Sequence, residues 1–374
     1  MRPTVNDIAR EAGVSLATVD RVLNERPGVR LKTVQAVTEA IARIGYVRDL
    51  AAANLARSRS YRIACLLPDT QSQFLDTVEQ AMHDAAAAAV VSRTDVETIR
   101  FPGEDPHALV AILADLQAQG VSGVAIMAPE TPHLRDAIRD LRQAGVAVVA
   151  LVSDLPNTER DHFVGIDNVA AGRTAGVLMG RFLSGNPGQI MVVAQSLLSR
   201  DALERRRGFD AVVQAEYPAL EVLQTLEAHG SPDILRRAVF EMSRHAPRLR
   251  GIYVLGSGHR VLGAALADLG LAGRVVVIGH EMTPHTRTAL QASTIDALVT
   301  QNTGHLARSA LRVLRAKIDR VPIDEGQEQI RIDIVLRENL PQVTDDPVPP
   351  SRVRSDQAAR TPVQIALNQA PANF

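Results

Sequence analysis

The sequence predicts an α/β protein in which a small all-α helix-turn-helix head precedes a larger body of two doubly wound parallel sheets. Three observations predict this class. The chain has 374 residues, well beyond the roughly 100 to 200 residues of one domain. Its first part spaces apolar residues as in helices. From Arg62 onward, short apolar runs alternate with segments long enough for crossover helices.

The head carries the sharpest motif, TVNDIAREAGVSLATVDRVLN over residues 4–24. Thr4 can cap a first helix that Gly13 ends, and Ser15 can cap a second helix. A third amphipathic helix, about Lys32 to Ile44, closes a small core, so the pattern is that of a helix-turn-helix. The alternative is a generic three-helix bundle. The residues of the second helix predicted to pack inward are Ala17, Val19, Val22 and Leu23.

In the body, apolar runs predict strands and the segments between them predict helices. About ten strands and nine helices fit two lobes better than a single sheet. The predicted strands are RIACLLPD, VETIRFP, GVAIMAP, VAVVALVSD, FVGIDN, QIMVVAQ, GIYVLGS, VVVIGHE, IDALVTQ and IRIDIVLREN. Residues 341–374 are polar and proline-rich, which predicts a disordered tail. The predicted domains are a head at 1–47, a hinge at 48–61, a first lobe at about 62–162 and 291–320, and a second lobe at about 163–290 and 321–340.

The overall composition is that of a folded globular protein, with 46% hydrophobic and 22% charged residues. These values exclude wholesale disorder, collagen and a fibrous coiled coil. We find no run of 18 apolar residues and no secretory signal, so we expect a cytoplasmic protein without a membrane partner. The single cysteine, Cys65, excludes a disulfide framework and multi-cysteine zinc modules, and we expect a buried thiol and no metal.

Charge is distributed unevenly along the chain. Residues 1–62 hold 11 arginine or lysine residues against 6 aspartate or glutamate residues, a net charge of +5, whereas the whole chain has a net charge of -1. A basic head therefore precedes a mildly acidic body. This asymmetry indicates nucleic-acid contact at the basic end, although a charge of this size is weak support by itself.

The head resembles the lactose-repressor (LacI/GalR) family of bacterial transcription regulators, without a gap as far as residue 62. In that family the second helix enters the major groove, which implies that Leu16, Ala17 and Arg21 face base edges. Arg21 can bond guanine O6 and N7 with both branches of its guanidinium, and Leu16 and Ala17 offer apolar contact, for instance to a thymine methyl. The resemblance also implies phosphate contacts, made by Ser15, Thr18 and Asn24.

One position of the second helix departs from the family pattern, because Asp20 stands where a serine is common. A carboxylate at the DNA surface is repelled by phosphate, which predicts weaker binding. Alternatively, the carboxylate accepts from cytosine N4 or orients Arg21 or its neighbours.

Residues 48–60, RDLAAANLARSRS, resemble the family's hinge helix, which orders when two chains lie side by side on the operator. This resemblance implies that Leu55 inserts into the minor groove and kinks the duplex. Arg57 and Arg59 would then follow phosphates. The alternative reading is a flexible linker of alanine and serine.

The body resembles the periplasmic sugar-binding fold over residues 62–340, most clearly at FVGIDNVAAGRTAG. Such folds hold a ligand between two lobes at the carboxyl ends of strands. Arg205 occupies the place of the arginine that clamps sugar hydroxyls or a carboxylate. The implied effector contacts are Ser72, Phe74, Ser153, Asp154, Asn168, Arg205, Ser257, Glu281 and Gln301.

Two features of the effector site remain open in the sequence. The segment GSGHR replaces an Asn-Asp pair that many relatives carry, so Ser257 is only a candidate contact. His259 and His280 are further polar options, or satisfied structural histidines. Phe74 is the best platform for stacking a sugar face in a chain without tryptophan, or else a core residue at the start of its helix.

Motifs that suggest an enzyme fail on inspection. His280-Glu281-x-x-x-His285 has one residue too many for a zincin helix and contains a proline. Gly256-x-Gly258 lacks the third glycine of a dinucleotide fingerprint. We therefore expect no catalytic site and no cofactor.

The sequence predicts a DNA-binding transcriptional regulator, most simply a repressor, that binds a palindromic double-stranded operator as a homodimer. A small sugar or polyol effector is expected to control it. The alternatives are a solute-binding protein without a DNA role, which would need a signal peptide and no helix-turn-helix, and a sugar-metabolising enzyme.

Overall fold

Three short helices form the head, and two sheets with their covering helices form the body. The computed structural model describes residues 3–23, 26–46, 60–70, 72–89, 93–103, 105–184, 186–245 and 248–341. Within these ranges no helix is both long and apolar enough to cross a membrane.

The helices of the head begin and end where the sequence predicts. Thr4 and Asp7 form a capping box at the first helix, with the Thr4 backbone nitrogen donating to Asp7 Oδ2 at 2.8 Å. Gly13 ends that helix in the left-handed conformation, with φ of 65°. The three helices are α1 Val5–Ala12, α2 Leu16–Leu23 and α3 Leu31–Ile44.

A small apolar core holds the head together, formed by Ile8, Val19, Val37 and Ala40. Val22 and Leu23 pack against it as predicted. Ala17 is exposed instead of inward-facing, so that part of the prediction is wrong. Ala17 lies two residues before the buried Val19, a half-turn of helix that places it on the opposite face.

The first sheet has five parallel strands in the order β2, β1, β3, β4, β5. Its middle strands are buried throughout, as a parallel sheet covered on both faces requires. Cys65 lies fully buried in β1, which confirms the predicted buried thiol. The strands are β1 Tyr61–Pro68, β2 Thr94–Phe101, β3 Gly123–Ile126, β4 Ala147–Leu151 and β5 His162–Val164.

The second sheet has six strands in the order β11, β10, β9, β8, β6, β7. All neighbours pair in parallel except β10 and β11, which are antiparallel, so this sheet is mixed at one edge. The strands are β6 Gly188–Ala194, β7 Leu220–Glu227, β8 Leu249–Val254, β9 Val276–His280, β10 Ala297–Gln301 and β11 Ile332–Val335.

Crossover helices connect the strands, and several of them begin with a side-chain cap. Asp105 accepts from the backbone nitrogen of His107 at 2.8 Å, and Pro106 occupies the first helical turn. The helices are α4 Gln73–Ala88, α5 Pro106–Ala118, α6 Pro132–Gln143, α7 Asn168–Phe182, α8 Arg200–Glu216, α9 Pro232–His245, α10 His259–Asp268, α11 Pro284–Gln291, α12 Thr303–Asp319 and α13 Glu325–Glu328, followed by a 3-10 turn, Arg337–Asn339.

The chain crosses between the lobes at three places: after β5, after β10 and after α12. Helix α12 packs against α4 and strands β3 to β5 of the first lobe, as predicted. The predicted first lobe also included residues 291–301, and this is wrong for β10. Val299 pairs with His280 of β9 and with Ile334 of β11, so the strand belongs to the second sheet.

An ion pair links α12 to the segment that follows it, which makes the third crossing. Arg312 donates from Nε and Nη2 to the two carboxylate oxygens of Glu328, both at 2.8 Å. His305 Nε2 lies 3.0 Å from the carbonyl oxygen of Gln327, one residue earlier. The short helix α13 is therefore tied to the helix that precedes it.

Candidate functional site

The exposed face of α2 carries the side chains predicted to meet DNA. Leu16 is 51% exposed although it is large and apolar, and Ala17 and Arg21 are also exposed. Val19 on the opposite face is fully buried in the head core. The helix therefore presents the predicted base-facing side chains to solvent.

Ser15 and Thr18 form the start of α2. The backbone nitrogen of Thr18 donates to Ser15 Oγ at 3.2 Å, and the two hydroxyl oxygens lie 2.9 Å apart. This contact confirms the predicted cap of the second helix. Both hydroxyls lie at the helix N-terminus, where the helix dipole favours an anion such as phosphate.

Asp20 lies beside Arg26, whereas the sequence suggested Arg21 or one of its neighbours as the partner. Its carboxylate is 3.5 Å from Arg26 Nη1, and both side chains are about half exposed. An exposed pair at this distance has little energy of its own. It nevertheless places a positive charge next to the carboxylate, which reduces the expected repulsion from phosphate.

Four predicted DNA contacts lie outside the described residues. They are Asn24, Leu55, Arg57 and Arg59.

In the body, two of the predicted effector residues, Asn168 and Glu281, contact Arg205, which is 1% exposed. Its Nε donates to Asn168 Oδ1 at 2.9 Å and its Nη1 donates to the Leu255 carbonyl at 2.6 Å. Nη1 also lies 3.4 Å from Glu281 Oε1. A guanidinium buried this deeply needs such partners, because an unpaired buried charge is costly.

Close packing of α7 against α8 brings Arg205 next to Asn168. A Cβ atom at Gly172 would lie 2.7 Å from the backbone carbon of Arg205 and nearer still to its oxygen. Gly208 would meet the Val169 carbonyl in the same way. The backbones touch at both points, so glycine is required there for the two helices to approach.

Glu281 follows directly after β9 in a left-handed conformation, with φ of 74°. Such a conformation is uncommon for a residue with a side chain and is found at functional sites. Burial raises the pKa of Glu281 to about 7, and the nearby Arg205 guanidinium opposes that increase. The Glu281 carboxyl group therefore holds a proton more readily than an exposed glutamate does.

Asp201 is a site residue that the sequence analysis missed. It is 7% exposed, and its Oδ2 lies 3.7 Å from Arg205 Nη1. Its backbone nitrogen donates to Ser153 Oγ at 3.4 Å, which joins the segment after β4 to α8. A signal was present, since residues four apart on a helix share a face and Asp201 precedes Arg205 by four.

Gln301 ends β10 and is 4% exposed. Neither its amide nitrogen nor its amide oxygen has a hydrogen-bond partner among the described residues. Buried polar groups are nearly always paired, so an amide left without partners is typical of a side chain that meets a ligand. We refer to Ser153, Asn168, Asp201, Arg205, Glu281 and Gln301 as the polar cluster.

Four predicted effector residues lie elsewhere or are engaged with other side chains. Phe74 is 3% exposed within the hydrophobic core, which is the core position that the sequence left open. Asp154 is paired with Arg160, whose Nη2 is 2.7 Å from Asp154 Oδ2. Ser257 donates to Gln195 at 3.2 Å. Ser72 precedes the first residue of α4 and makes no side-chain cap bond.

The two histidine options are buried and partly satisfied. His280 Nε2 lies 2.7 Å from the Tyr253 hydroxyl, and His259 Nε2 lies 3.1 Å from the His280 carbonyl oxygen. Burial lowers the pKa of His259 to about 4 and holds that of His280 well below its usual value. Both rings are therefore neutral at neutral pH, and His259 contacts the backbone of the last residue of β9.

The fold and the cluster define a class: a two-lobed α/β ligand-binding body behind a helix-turn-helix head. Residues 63–320 match the periplasmic binding protein domain, and residues 4–49 match the bacterial regulatory proteins of the lacI family. The chain belongs to the periplasmic binding protein domain family and carries a lacI-family DNA-binding domain as its head. The resemblance of the head is confirmed over residues 4–49 and that of the body over residues 63–320.

Individual relatives are similar over different lengths. Catabolite control protein A of Priestia megaterium is 28% identical over 171 residues, which are 45% of this chain and 48% of that protein. The chain thus matches about half of that relative's length. The ribose operon repressor of Halalkalibacterium halodurans is 25% identical over 345 residues, 90% of this chain and 96% of that protein.

A solved structure supports the fold of the body. A glucose-galactose binding protein from Geobacillus stearothermophilus superposes with a TM-score of 0.67 at 19% identity, covering 76% of this chain and 100% of that one. At this identity the match shows the two-lobed architecture alone.

Proposed function

We propose that the protein is a sequence-specific transcriptional repressor controlled by a small sugar or polyol. One observation carries this: the same chain exposes Leu16, Ala17 and Arg21 on a helix-turn-helix and buries a polar cluster with an unpartnered amide in its body. The similarity to a ribose operon repressor supports the proposal, because it extends over head and body together.

On DNA, Arg21 reads guanine in the major groove, and Leu16 and Ala17 contact thymine methyl groups. Ser15 and Thr18 bind phosphate. The working form is a homodimer on a palindromic operator, since each head reads one half-site. In each chain Asn24 adds a phosphate contact, while Leu55 wedges into the minor groove and Arg57 follows the backbone. The site of action is the cytoplasm, where the DNA lies.

In the body, the effector contacts the polar cluster. Arg205, Asn168 and Glu281 are already placed by hydrogen bonds within protein, and Gln301 gains its partners from the effector. Ser72, which precedes α4 of the first lobe, is proposed as a further contact, and Phe74 is left in the hydrophobic core. Asp154 and Ser257 exchange Arg160 and Gln195 for the effector when it binds. The effector is bound and released without chemical conversion.

Control follows from a shift between two populations of the protein. The effector prefers the closed arrangement of the lobes, and that arrangement disfavours the hinge that the heads need on the operator. A coupling of about 1 to 3 kcal/mol changes operator affinity about 5- to 150-fold. In this proposal effector binding releases DNA.

The test separates the two halves of the function. Duplexes selected from a random pool by the full-length protein define its preferred site. Arg21→Ala is expected to lower the preference for that site over a scrambled duplex by about 30-fold or more, because each half-site loses one bidentate base contact of about 1 to 3 kcal/mol. Unchanged preference in this variant contradicts the base-reading role, and no DNA binding by the wild type contradicts the repressor.

Two variants serve as controls. Arg43→Ala removes an exposed arginine of α3 that pairs with Glu11 of α1 at 2.6 Å, and it should keep the sequence preference. Arg205→Ala should keep operator binding and lose the effector response. An undiminished response in Arg205→Ala moves the effector site elsewhere.

A further inference from the structure

The polar cluster contains more negative than positive charge. Arg205 is its one guanidinium among the described residues, and two buried carboxylates lie against it, Asp201 at 3.7 Å and Glu281 at 3.4 Å. Nη1 faces both carboxylates and also donates to the Leu255 carbonyl. The positive charge of Arg205 is therefore already matched within the protein.

Two further arginines, Arg160 and Arg200, are also engaged with carboxylates. Arg160 holds Asp154 through Nε and Nη2, and Arg200 holds Glu204 at 2.7 Å. Asp154 and Asp167 lie close enough to Glu204 to raise its pKa, in addition to the larger effect of burial. The surroundings of the cluster thus add carboxylates as well as paired arginines.

An anionic group in this site would lie beside two carboxylates without an unmatched cation. Repulsion between like charges a few ångströms apart is strong where water is excluded. Hydroxyl groups, by contrast, suit the site well, because carboxylates accept their hydrogen bonds and arginine and amide nitrogens donate to their oxygens. The Gln301 amide, unpartnered among the described residues, offers both functions at once.

We infer that the effector is a neutral polyhydroxy compound without a phosphate or carboxylate group, and that Asp201 is the residue that excludes the anionic forms. This inference rests on the proposed function and goes beyond it by fixing the charge of the effector. It also settles which role Arg205 has, because an arginine held by two carboxylates orients hydroxyl acceptors and does not clamp an acid.

Matched ligand pairs test the inference by isothermal titration of the full-length protein. The pairs are ribose with ribose 5-phosphate, glucose with glucose 6-phosphate, and galactose with galacturonate. In any pair that binds, the neutral member is expected to bind at least tenfold more tightly, equal to about 1.4 kcal/mol. An anionic member that binds as tightly or more tightly overturns the inference, and so does silence from all three pairs.

Two variants with nearly unchanged shape test the role of Asp201. Asp201→Asn removes one negative charge, and the preference for the neutral member should fall at least threefold. Glu204→Gln is the control, since it removes a carboxylate from the same helix that pairs with Arg200 outside the cluster, and it should keep the wild-type ratio. A wild-type ratio in Asp201→Asn, with a wild-type circular dichroism spectrum, overturns the assignment.

These outcomes remain distinct from failure of the proposed function. Operator binding by the same preparation is measured in parallel without sugar. A protein that binds its selected duplex and prefers the phosphorylated sugar is still a repressor, with an effector of the other charge. A protein that binds no DNA fails the proposed function whatever its sugar preference.

Discussion

Replacing Gly172 by alanine is expected to damage the effector site from outside the polar cluster. The added methyl group would lie 2.7 Å and 2.9 Å from the backbone carbon and Cα of Arg205, so α8 must move by several tenths of an ångström or more. Overpacking costs about 1 to 3 kcal/mol, and contact with backbone favours the upper end. Alanine recovers about 1 kcal/mol of helix propensity, which leaves a net loss of about 2 kcal/mol.

Thermal unfolding followed by circular dichroism measures this loss. For a body of this size about 2 kcal/mol lowers the midpoint by roughly 3 °C. Gly263→Ala is the matched control, because Gly263 lies inside α10 with open space around its Cβ position, and it should gain up to about 1 kcal/mol. A Gly172→Ala protein as stable as the wild type, with the same effector response, refutes the role of close packing in placing Arg205.

Two further substitutions test buried carboxylates. Glu281→Gln should flatten the pH dependence of stability. The pKa of Glu281 is about 7 in the folded protein, against an ordinary value of 4.5, so the folded state binds this proton more tightly than the unfolded state. The free energy of unfolding of the wild type therefore falls as the pH rises between these two values. Parallel slopes for the two proteins in urea titrations from pH 4.5 to 7 would rule this out. Glu328→Gln should cost about 2 kcal/mol at neutral pH, less than the roughly 3 to 5 kcal/mol of a fully buried pair, because Arg312 is 30% exposed. Burial by itself raises the pKa of Glu328, but hydrogen bonds from Arg312 and Ser309 and the charge of Arg312 together lower it. The wild type should therefore lose this advantage on acidification below the ordinary pKa; a stability gap that persists at low pH would contradict the ion pair.

Much of the fold follows from local pattern. All of the predicted strands form in the structure. The fully buried parallel strands, such as β3 and β4, are the easiest to recognise because they produce continuous apolar runs. The strand β7, Leu220–Glu227, was not predicted, since its sequence LEVLQTLE is half polar. β7 lies at the edge of the second sheet, where one side of the strand faces solvent and a continuous apolar run is not needed. The antiparallel direction of β11 could not be predicted either, because no local feature of the sequence indicates it.

The polar cluster was only partly predictable. Arg205 and Glu281 follow from the resemblance to a known architecture, and the structure brings them within 3.4 Å. The burial of Phe74 in the core depends on tertiary packing that composition does not reveal. Asp154 was proposed for the ligand because of its place after a strand, yet its pairing with Arg160 six residues later depends on the course of the intervening loop.

Because the chain crosses between the lobes three times, neither lobe is formed by one continuous stretch of the sequence. Helix α12 completes the packing of the first lobe but reaches it only after the chain has run through most of the second. A fragment that ends after β5 would lack α12 and its side chains Leu311 and Leu314. The first-lobe surfaces against which these side chains pack would then be exposed. We therefore expect that a single proteolytic cut between the lobes yields two fragments that stay together under native conditions, and that neither lobe folds when it is expressed as one continuous stretch of the sequence.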